Sequence, residues 1–254
     1  MAKAAPEEER EKKLERREHP PESYVGTAPY FDEELKVPQG REHRRTVYSL
    51  GPVLEMIAEE AGLTFLSDHP IWYLHPETDE QKAYYGDLVL ARPVDVTRIT
   101  AADLLMVIEV VTTTNRKKEV KDTVFQRAVN EYNGVPELGL IFPDVEDGRS
   151  MTWFELDAES GRYTEVTLSP GSAIEPRALP GLEIRVKPRS EWRPGKKLEL
   201  YYRGQRRYYP DEDRARAEQE AARAEQADAR AEKERRRAEE LEAKLKELGI
   251  DPTS

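Results

Sequence analysis

Residues 104–111 read LLMVIEVV, the most apolar run of the chain, and one acidic residue, Glu109, interrupts it. The β-branched residues of this run favour a strand, and a nearly continuous apolar strand is typical of the centre of a sheet. Burying an unpaired carboxylate there is costly, so Glu109 requires a cation, a metal ion or strong hydrogen-bond donors. The run alone leaves two interpretations open, a structural ion pair and a metal ligand.

A second short strand, DLVL at residues 87–90, precedes this run and opens with Asp87. Carboxylates on rigid neighbouring strands are the hard oxygen ligands that a Mg²⁺ or Mn²⁺ ion uses when it cuts phosphodiesters. Asp87 and Glu109 are therefore the candidate metal ligands and the candidate catalytic carboxylates.

Two helices are predicted beside these strands. The first spans about residues 41–61, where apolar residues recur at helical spacing, and Gly51-Pro52 is expected to kink or split it. The second spans about residues 119–132 and ends at Asn133-Gly134, a sequence typical of a left-handed C-cap.

The second helix offers a cation. Its apolar residues, among them Val120 and Val124, are predicted to face inward, and Lys117 and Lys121 lie on the same face. Lys121 is therefore the candidate catalytic lysine, which would lower the pKa of an attacking water or stabilise charge on the phosphorane. The alternative is that it only neutralises Glu109, or extends along the apolar face to solvent.

Shorter runs predict further strands. Thr64–Leu66 and Ile71–Tyr73 are expected to pair as a hairpin, residues 138–142 to form a buried strand, and residues 152–186 to form antiparallel strands. Aromatic residues near the hairpin, such as Trp72, would suit a carbohydrate or small-molecule site. Aromatic side chains at strand positions more often belong to the core, so this interpretation is the weakest.

The composition excludes several kinds of site. The chain has no cysteine, which rules out disulfides and thiolate metal sites and is compatible with a reducing compartment. No apolar run approaches the roughly 18 residues that span a bilayer, so we expect a cytoplasmic protein without a membrane partner. The net charge of −11 argues against a broadly basic nucleic-acid surface, although local basic clusters or a bound metal can still hold phosphates.

The ends of the chain differ from its middle. Residues 1–40 are charged and then rich in Pro and Gly, which predicts a flexible arm that packs only around Tyr24, Tyr30 and Phe31. Residues 41–209 are predicted to form the folded domain, and residues 210–254 a charged helix.

This C-terminal helix carries a heptad pattern over residues 211–248, which contain no Gly or Pro. The pattern predicts a weak coiled coil that tightens toward its leucine end, and a solitary helix held by local ion pairs is the alternative. One core position holds Ala217, Ala224, Ala231, Ala238 and Leu245, and the other holds Glu220, Ala227, Glu234, Leu241 and Leu248.

Three segments together resemble the Uma family of putative restriction endonucleases, which belongs to the PD-(D/E)XK nuclease superfamily. They are residues 85–89 (YGDLV), 105–114 (LMVIEVVTTT) and 132–143 (YNGVPELGLIFP), and the resemblance covers roughly residues 41–190. His43 also matches a histidine commonly seen near the start of the first helix, although a lone histidine there is more often a surface or capping residue.

The resemblance implies a mixed α+β fold of the α/β class with a restriction-endonuclease-like core. A bent mixed or antiparallel sheet would be flanked by helices, and the long C-terminal coiled helix would be an addition to it. The implied reaction is hydrolysis of DNA phosphodiester bonds with Mg²⁺ or Mn²⁺. Asp87 and Glu109 would hold the metal, and the backbone carbonyl of Val110 would be a further ligand.

Two features depart from the family pattern. The Glu-x-Lys triplet is missing because Val111 stands where lysine would be, and the family usually carries that lysine in the following helix. The expected helical position holds Gln126, so Lys121 is the substitute on helical-face grounds, with Lys118 and Gln126 as alternatives. A catalytically weak or inactive nuclease-fold module, which binds a protein partner or itself through residues 211–248, is therefore the alternative function.

Overall fold

The computed structural model describes residues 31–32, 37–38, 40–94, 96–111 and 116–247. The chain divides into two compact units, with the boundary between Tyr209 and Pro210. The predicted arm of residues 1–40, with Tyr24 and Tyr30, lies almost entirely outside the described residues.

The described part of the first unit alternates strands with a few helices. Its strands are β1 (Phe31–Asp32), β2 (Val37–Pro38), β3 (Thr64–Leu66), β4 (His69–Leu74), β5 (Gln81–Gly86), β6 (Leu88–Ala91), β7 (Leu104–Val110), β8 (Glu137–Ile141), β9 (Met151–Leu156), β10 (Tyr163–Leu168), β11 (Ala173–Ile174), β12 (Leu182–Val186), β13 (Leu198–Tyr202) and β14 (Gln205–Arg207). Its helices are α1 (Arg41–Ala61), α2 (Arg116–Val120) and α3 (Gln126–Tyr132), with a π-helical turn at Lys121–Phe125 between α2 and α3.

The apolar run around Glu109 forms β7 inside a six-stranded sheet of order β10-β9-β8-β7-β6-β3. β7 pairs antiparallel with β6 and parallel with β8, so the sheet is mixed. A second sheet has the order β11-β12-β13-β14. The predicted mixed α+β fold is confirmed.

The predicted hairpin of Thr64–Leu66 with Ile71–Tyr73 is wrong. β3 instead pairs with β6 at the edge of the main sheet, and β4 pairs with β5 along its whole length. β5 offers β4 a partner of equal length, whereas β3 has only three residues. Partner length, which the local apolar pattern does not encode, therefore decides the pairing.

Alternate residues of β7 face two separate cores. Met106, Ile108 and Val110 pack with α1 and the second sheet. Val107 and Val111 face the opposite core, to which β4 and α3 contribute. Because side chains alternate along a strand, Glu109 projects on the side of Val107 and Val111.

α1 runs without a break through Pro52, so Gly51-Pro52 does not split it. Pro52 has no N–H to donate to the carbonyl of Tyr48 one turn earlier, but both residues are exposed and water can satisfy that carbonyl. The helix ends at Gly62 in the left-handed conformation (φ 68°), with its N–H directed at the carbonyls of the last turn.

The second helical segment begins earlier than predicted and contains the π turn, in which the N–H of Gln126 bonds to the carbonyl of Lys121. Such a turn holds one residue more than an α-helical turn. The C-terminal half is anchored to β4, because the Asn133 side chain accepts from the N–H of Leu74 (2.9 Å) and donates to its carbonyl (2.8 Å).

The face of this helix that was predicted to point inward is exposed. Val120 is 49 % exposed and Val124 is 55 % exposed. The buried positions are instead Asp122, Gln126 and Val129, together with the asparagines that contact β4. Polar partners on β4 and around Glu109 therefore set the helix orientation, and the wheel prediction that selected Lys121 was wrong about the inward face.

The described part of the second unit is one helix, α4 (Pro210–Glu247). Nearly all of its described side chains are exposed. None of the helices in the described ranges has the length and apolar character needed to cross a membrane.

Candidate functional site

Asp87 lies where the chain passes from the β4–β5 hairpin into the main sheet, between the end of β5 and the start of β6. The β6–β7 ladder ends at Leu88–Ile108, and one step further in the same register brings Asp87 opposite Glu109. The N–H of Val110 donates to Asp87 Oδ2 at 2.7 Å. The strand that carries Glu109 therefore holds Asp87 directly.

His43, in the first turn of α1, closes this arrangement from the other side. Its Nδ1 lies 2.6 Å from the carbonyl oxygen of Val110, which only accepts, so Nδ1 carries a proton. Its Nε2 lies 3.2 Å from Asp87 Oδ1, an ion-pair contact without the direction of a good hydrogen bond. Burial lowers the pKa of His43, but the Asp87 carboxylate outweighs burial and raises it overall.

Asp87 itself stays ionised in this environment. Burial alone would raise its pKa, but the charge of His43 and the N–H of Val110 lower it below the ordinary value. Lys118 acts in the same direction. Asp87 is thus a fixed carboxylate with defined partners.

Glu109 has the opposite character. It is 5 % exposed, and burial raises its pKa well above the ordinary value, with further increases from the charges of Asp87 and Asp122. In the part of the chain that the structure describes, it forms no ion pair with a lysine or arginine. The interpretation of Glu109 as one half of a closed structural ion pair therefore finds no support in this geometry.

A third carboxylate and a lysine come from the helix that follows β7. Lys118 Nζ donates to Asp122 Oδ1 at 2.7 Å, and both side chains are largely buried. Burial lowers the pKa of Lys118, but Asp122 and Asp87 raise it above the ordinary lysine value. The lysine therefore remains a cation beside the carboxylates.

Asp68, in the turn between β3 and β4, is a fourth acidic group at this end of the sheet. Burial, followed by the charge of Asp87, raises its pKa to about 7. The charges of His43 and Lys118 oppose that increase. Negative charge is thus concentrated here, with two cations to balance it.

A model of the Uma2 family, described as "Putative restriction endonuclease", matches residues 22–187. The chain belongs to the Uma2 family. The match spans well over half of the chain and contains every site residue described above, and it confirms the resemblance seen in the sequence. No curated protein matches this chain.

The structure brings some of the predicted site residues of this Uma2 protein together. Asp87 and Glu109 face each other across neighbouring strands, and Lys118 is the lysine whose charge acts on both. Lys121 lies half-buried on the π turn, and its catalytic role stays a prediction. Gln126, at the position where the family usually has lysine, is buried one turn after Asp122.

Sequence reasoning did not identify Asp122 or Asp68 as members of the site. A signal existed for Asp122, because it stands four residues after Lys118 and four before Gln126, a spacing that places all three along one side of a helix. Asp68 offered no such signal, since its proximity to Asp87 depends on how β3 and β4 are paired.

The oxygen donors around Asp87 and Glu109 suit a divalent metal that keeps most of its water ligands. No three His, Cys, Asp or Glu side chains form a metal-holding group within the described ranges. Mg²⁺ is commonly held by one or two carboxylates, with waters and substrate phosphate completing its shell. The carboxylates of Asp87 and Glu109 match that smaller set, whereas the Val110 carbonyl already accepts a hydrogen bond from His43. Burial contributes most to the raised pKa of Glu109, and a divalent ion would offset the further increase that comes from the charges of Asp87 and Asp122.

Proposed function

We propose that this Uma2 protein is a metal-dependent endonuclease that hydrolyses DNA phosphodiester bonds at Asp87 and Glu109. The observation that carries the proposal is the position of Glu109, buried opposite Asp87 and near Asp122 with no ion-paired cation among the described residues. Two buried carboxylates in contact are unfavourable while both are ionised, so either a proton on Glu109 or a bound cation must offset their repulsion. Family membership suggests the reaction class, since the Uma2 model carries the description "Putative restriction endonuclease".

Asp87 and Glu109 would hold Mg²⁺ or Mn²⁺, and when bound the ion would supply Lewis-acid activation of water and phosphate. Asp87 is suited to be the permanent ligand, because its lowered pKa keeps it ionised and Val110 fixes its orientation. Glu109 is suited to change state, because its raised pKa lets it hold a proton until a cation arrives.

Lys118 is the residue that we assign to stabilising negative charge on the phosphate. Its raised pKa means that it cannot serve as a general base near neutral pH, so it acts as a fixed cation. Asp122 holds the ammonium group at 2.7 Å and limits its movement. His43 is a positioning residue, since it contacts Asp87 and the Val110 carbonyl rather than an open site.

The alternative is a nuclease fold without strong catalysis, which serves as a binding module. The observation in its favour is Gln126, a neutral residue at the family's lysine position. Lys118, which precedes Gln126 on the same helical segment, compensates for this loss only if its ammonium group reaches the phosphate. The two proposals therefore differ in what they predict for Lys118.

The test is cleavage of supercoiled plasmid and of single-stranded DNA with Mg²⁺ or Mn²⁺. We expect Asp87→Asn and Glu109→Gln to abolish cleavage, and Lys118→Met to slow it by about 100-fold or more. Lys121→Met is the matched comparison, because it removes a lysine from the same helix. Calorimetric titration with Mn²⁺ gives a second readout that does not depend on activity.

Each outcome separates the proposals. Metal binding and cleavage that both disappear in the two carboxylate variants support the endonuclease. Metal binding without cleavage supports the weak or inactive module. A large loss with Lys121→Met and none with Lys118→Met would reverse our assignment of the lysine.

A further inference from the structure

The helix α4 repeats one tripeptide at a strict interval of seven residues. Arg-Ala-Glu begins at Arg216, Arg223, Arg230 and Arg237, and the next interval begins with Lys244. A straight α-helix has about 3.6 residues per turn, so residues seven apart drift slowly around it. A strict seven-residue repeat is the period of helices that supercoil around each other.

The alanines of this repeat form an unbroken uncharged stripe, whereas each of the other six heptad positions carries a charged residue at least once. Ala217, Ala224, Ala231 and Ala238 occupy one core position, which we call a. Their side chains are exposed, and Leu241 at the second core position, d, is 52 % exposed. A packed pair of helices requires an uncharged position of this kind, whereas a solitary helix in water does not.

We propose that α4 forms a parallel two-stranded coiled coil with α4 of a second copy of this chain. The proposal is independent of the nuclease activity. It extends the sequence-based prediction by specifying the partner, the helix direction and the residues in the contact.

The basic residues beside the seam favour a parallel pair of helices over an antiparallel pair. The position before each a residue, called g, is always basic, since it holds Arg216, Arg223, Arg230, Arg237 and Lys244. In an antiparallel pair these five basic residues would face one another and repel. In a parallel pair each g residue instead faces the partner's residue five positions later, at position e. Two of these contacts attract and one repels: Arg223–Asp228, Arg237–Glu242 and Arg230–Arg235 respectively.

The parallel arrangement also brings together the leucine-containing ends of the two α4 helices. In the parallel arrangement Leu241 packs against its own copy, whereas the antiparallel arrangement would oppose it to the acidic start of the helix. Glu220 and Glu234 at position d weaken the seam, so we expect reversible association rather than an obligate dimer. Leu248, the last predicted d residue, lies outside the described residues.

The first experiment measures the mass of the full chain by sedimentation equilibrium across the micromolar range. The seam variant Ala224→Glu/Ala231→Glu introduces charge at position a and is expected to be monomeric throughout. The matched control Ala222→Glu/Ala229→Glu introduces the same charges on the opposite side of the helix and should associate as the wild type does. Glutamate keeps good helix propensity, and circular dichroism checks that both variants remain helical.

A second pair of variants reports the direction. The chain has no cysteine, so a single introduced cysteine forms only the disulfide between copies. Ala238→Cys at position a is expected to cross-link a parallel pair on mild oxidation, whereas Ala243→Cys on the outer face should cross-link far less.

Glu234→Leu should tighten association by about tenfold or more, because it replaces a charged seam residue with an apolar one.

Association of the wild type that the seam variant loses and the control keeps, with selective cross-linking through Ala238→Cys, would support the proposal. A wild-type monomer at every concentration would overturn it. Association that survives the seam variant would place the contact elsewhere. Association without the Ala238→Cys cross-link would reject the parallel direction.

Discussion

Glu109→Gln is expected to stabilise the metal-free protein against unfolding as the pH rises. Glu109 is 5 % exposed, and burial together with Asp87 and Asp122 raises its pKa well above 4.5. The folded protein therefore binds this proton more tightly than the unfolded chain does. The resulting stability is complete below pH 4.5 and is lost as the pH rises toward the folded-state pKa.

The size of this effect follows from proton linkage. Between the unfolded and folded pKa values, one proton is bound in the folded state and none in the unfolded state. The free energy of unfolding then falls by about 1.4 kcal/mol for each pH unit. Glutamine has no proton to lose, so the variant should gain on the wild type by that slope as the pH rises from about 5.

The assay is urea unfolding in EDTA at a series of pH values, repeated with Mn²⁺. Subtracting the wild type from the variant removes the contribution of Asp68, which titrates in the same direction. Asp87→Asn is the control with the opposite sign, because the pKa of Asp87 is lowered and its ionised form stabilises the fold. Mn²⁺ at a hundred times its dissociation constant should add about 2.7 kcal/mol to the wild type and little to Glu109→Gln.

One result would refute this reasoning. If Glu109→Gln were less stable than the wild type by an amount independent of pH, the carboxylate would have a permanent cation as partner. The metal site would then lose its main support, and the closed ion pair would be correct.

Three further predictions concern neighbouring groups. His43→Ala should lower the free energy of unfolding by about 1–3 kcal/mol, because it leaves the buried Val110 carbonyl without its hydrogen-bond donor. Since the pKa of His43 is raised in the folded protein, urea titrations should show this loss in full below pH 6.5 and less of it as the pH rises through the folded-state pKa. Lys118→Met should lower the free energy of unfolding by about 3 kcal/mol or more, because it removes the ion-pair partner of the buried Asp122. Thermal melts should show that adding Asp122→Asn to this variant recovers part of the loss. Lys197 donates to two backbone carbonyls, and burial lowers its pKa to about 8. The free energy of unfolding of the wild type relative to Lys197→Met should therefore rise between pH 8 and 10.5, as measured by urea unfolding.

Much of the sheet could be predicted from local sequence. The apolar run around Glu109 has the composition of a central strand, and it forms β7. The sequence also predicts that Asp87 lies on a neighbouring strand, because it opens the adjacent apolar run. Their opposition across the two strands then follows from the antiparallel register of β6 and β7. The metal role of the two carboxylates stays a prediction.

The helix after β7 could not be oriented from sequence alone. Val120 and Val124 have the spacing of a buried face, yet they are exposed. Asn130 and Asn133 accept hydrogen bonds from Tyr73 and Leu74 of β4, and these bonds turn the polar side of the helix inward. A helical wheel counts apolar residues and cannot see partners on a distant strand. The same limit concealed Asp68, whose surroundings come from the pairing of β3 with β6.

The π turn at Lys121–Phe125 changes the rotation of the first half of this helix relative to the second half. The later half is tied to β4 through Asn133, so its rotation is fixed. Removing one residue from the turn would restore α-helical spacing and rotate the earlier half by about 100°. Lys118 would then turn away from the carboxylates even though the lysine itself was retained. The π turn thus makes the position of Lys118 depend on the number of residues in this helix as well as on their identity.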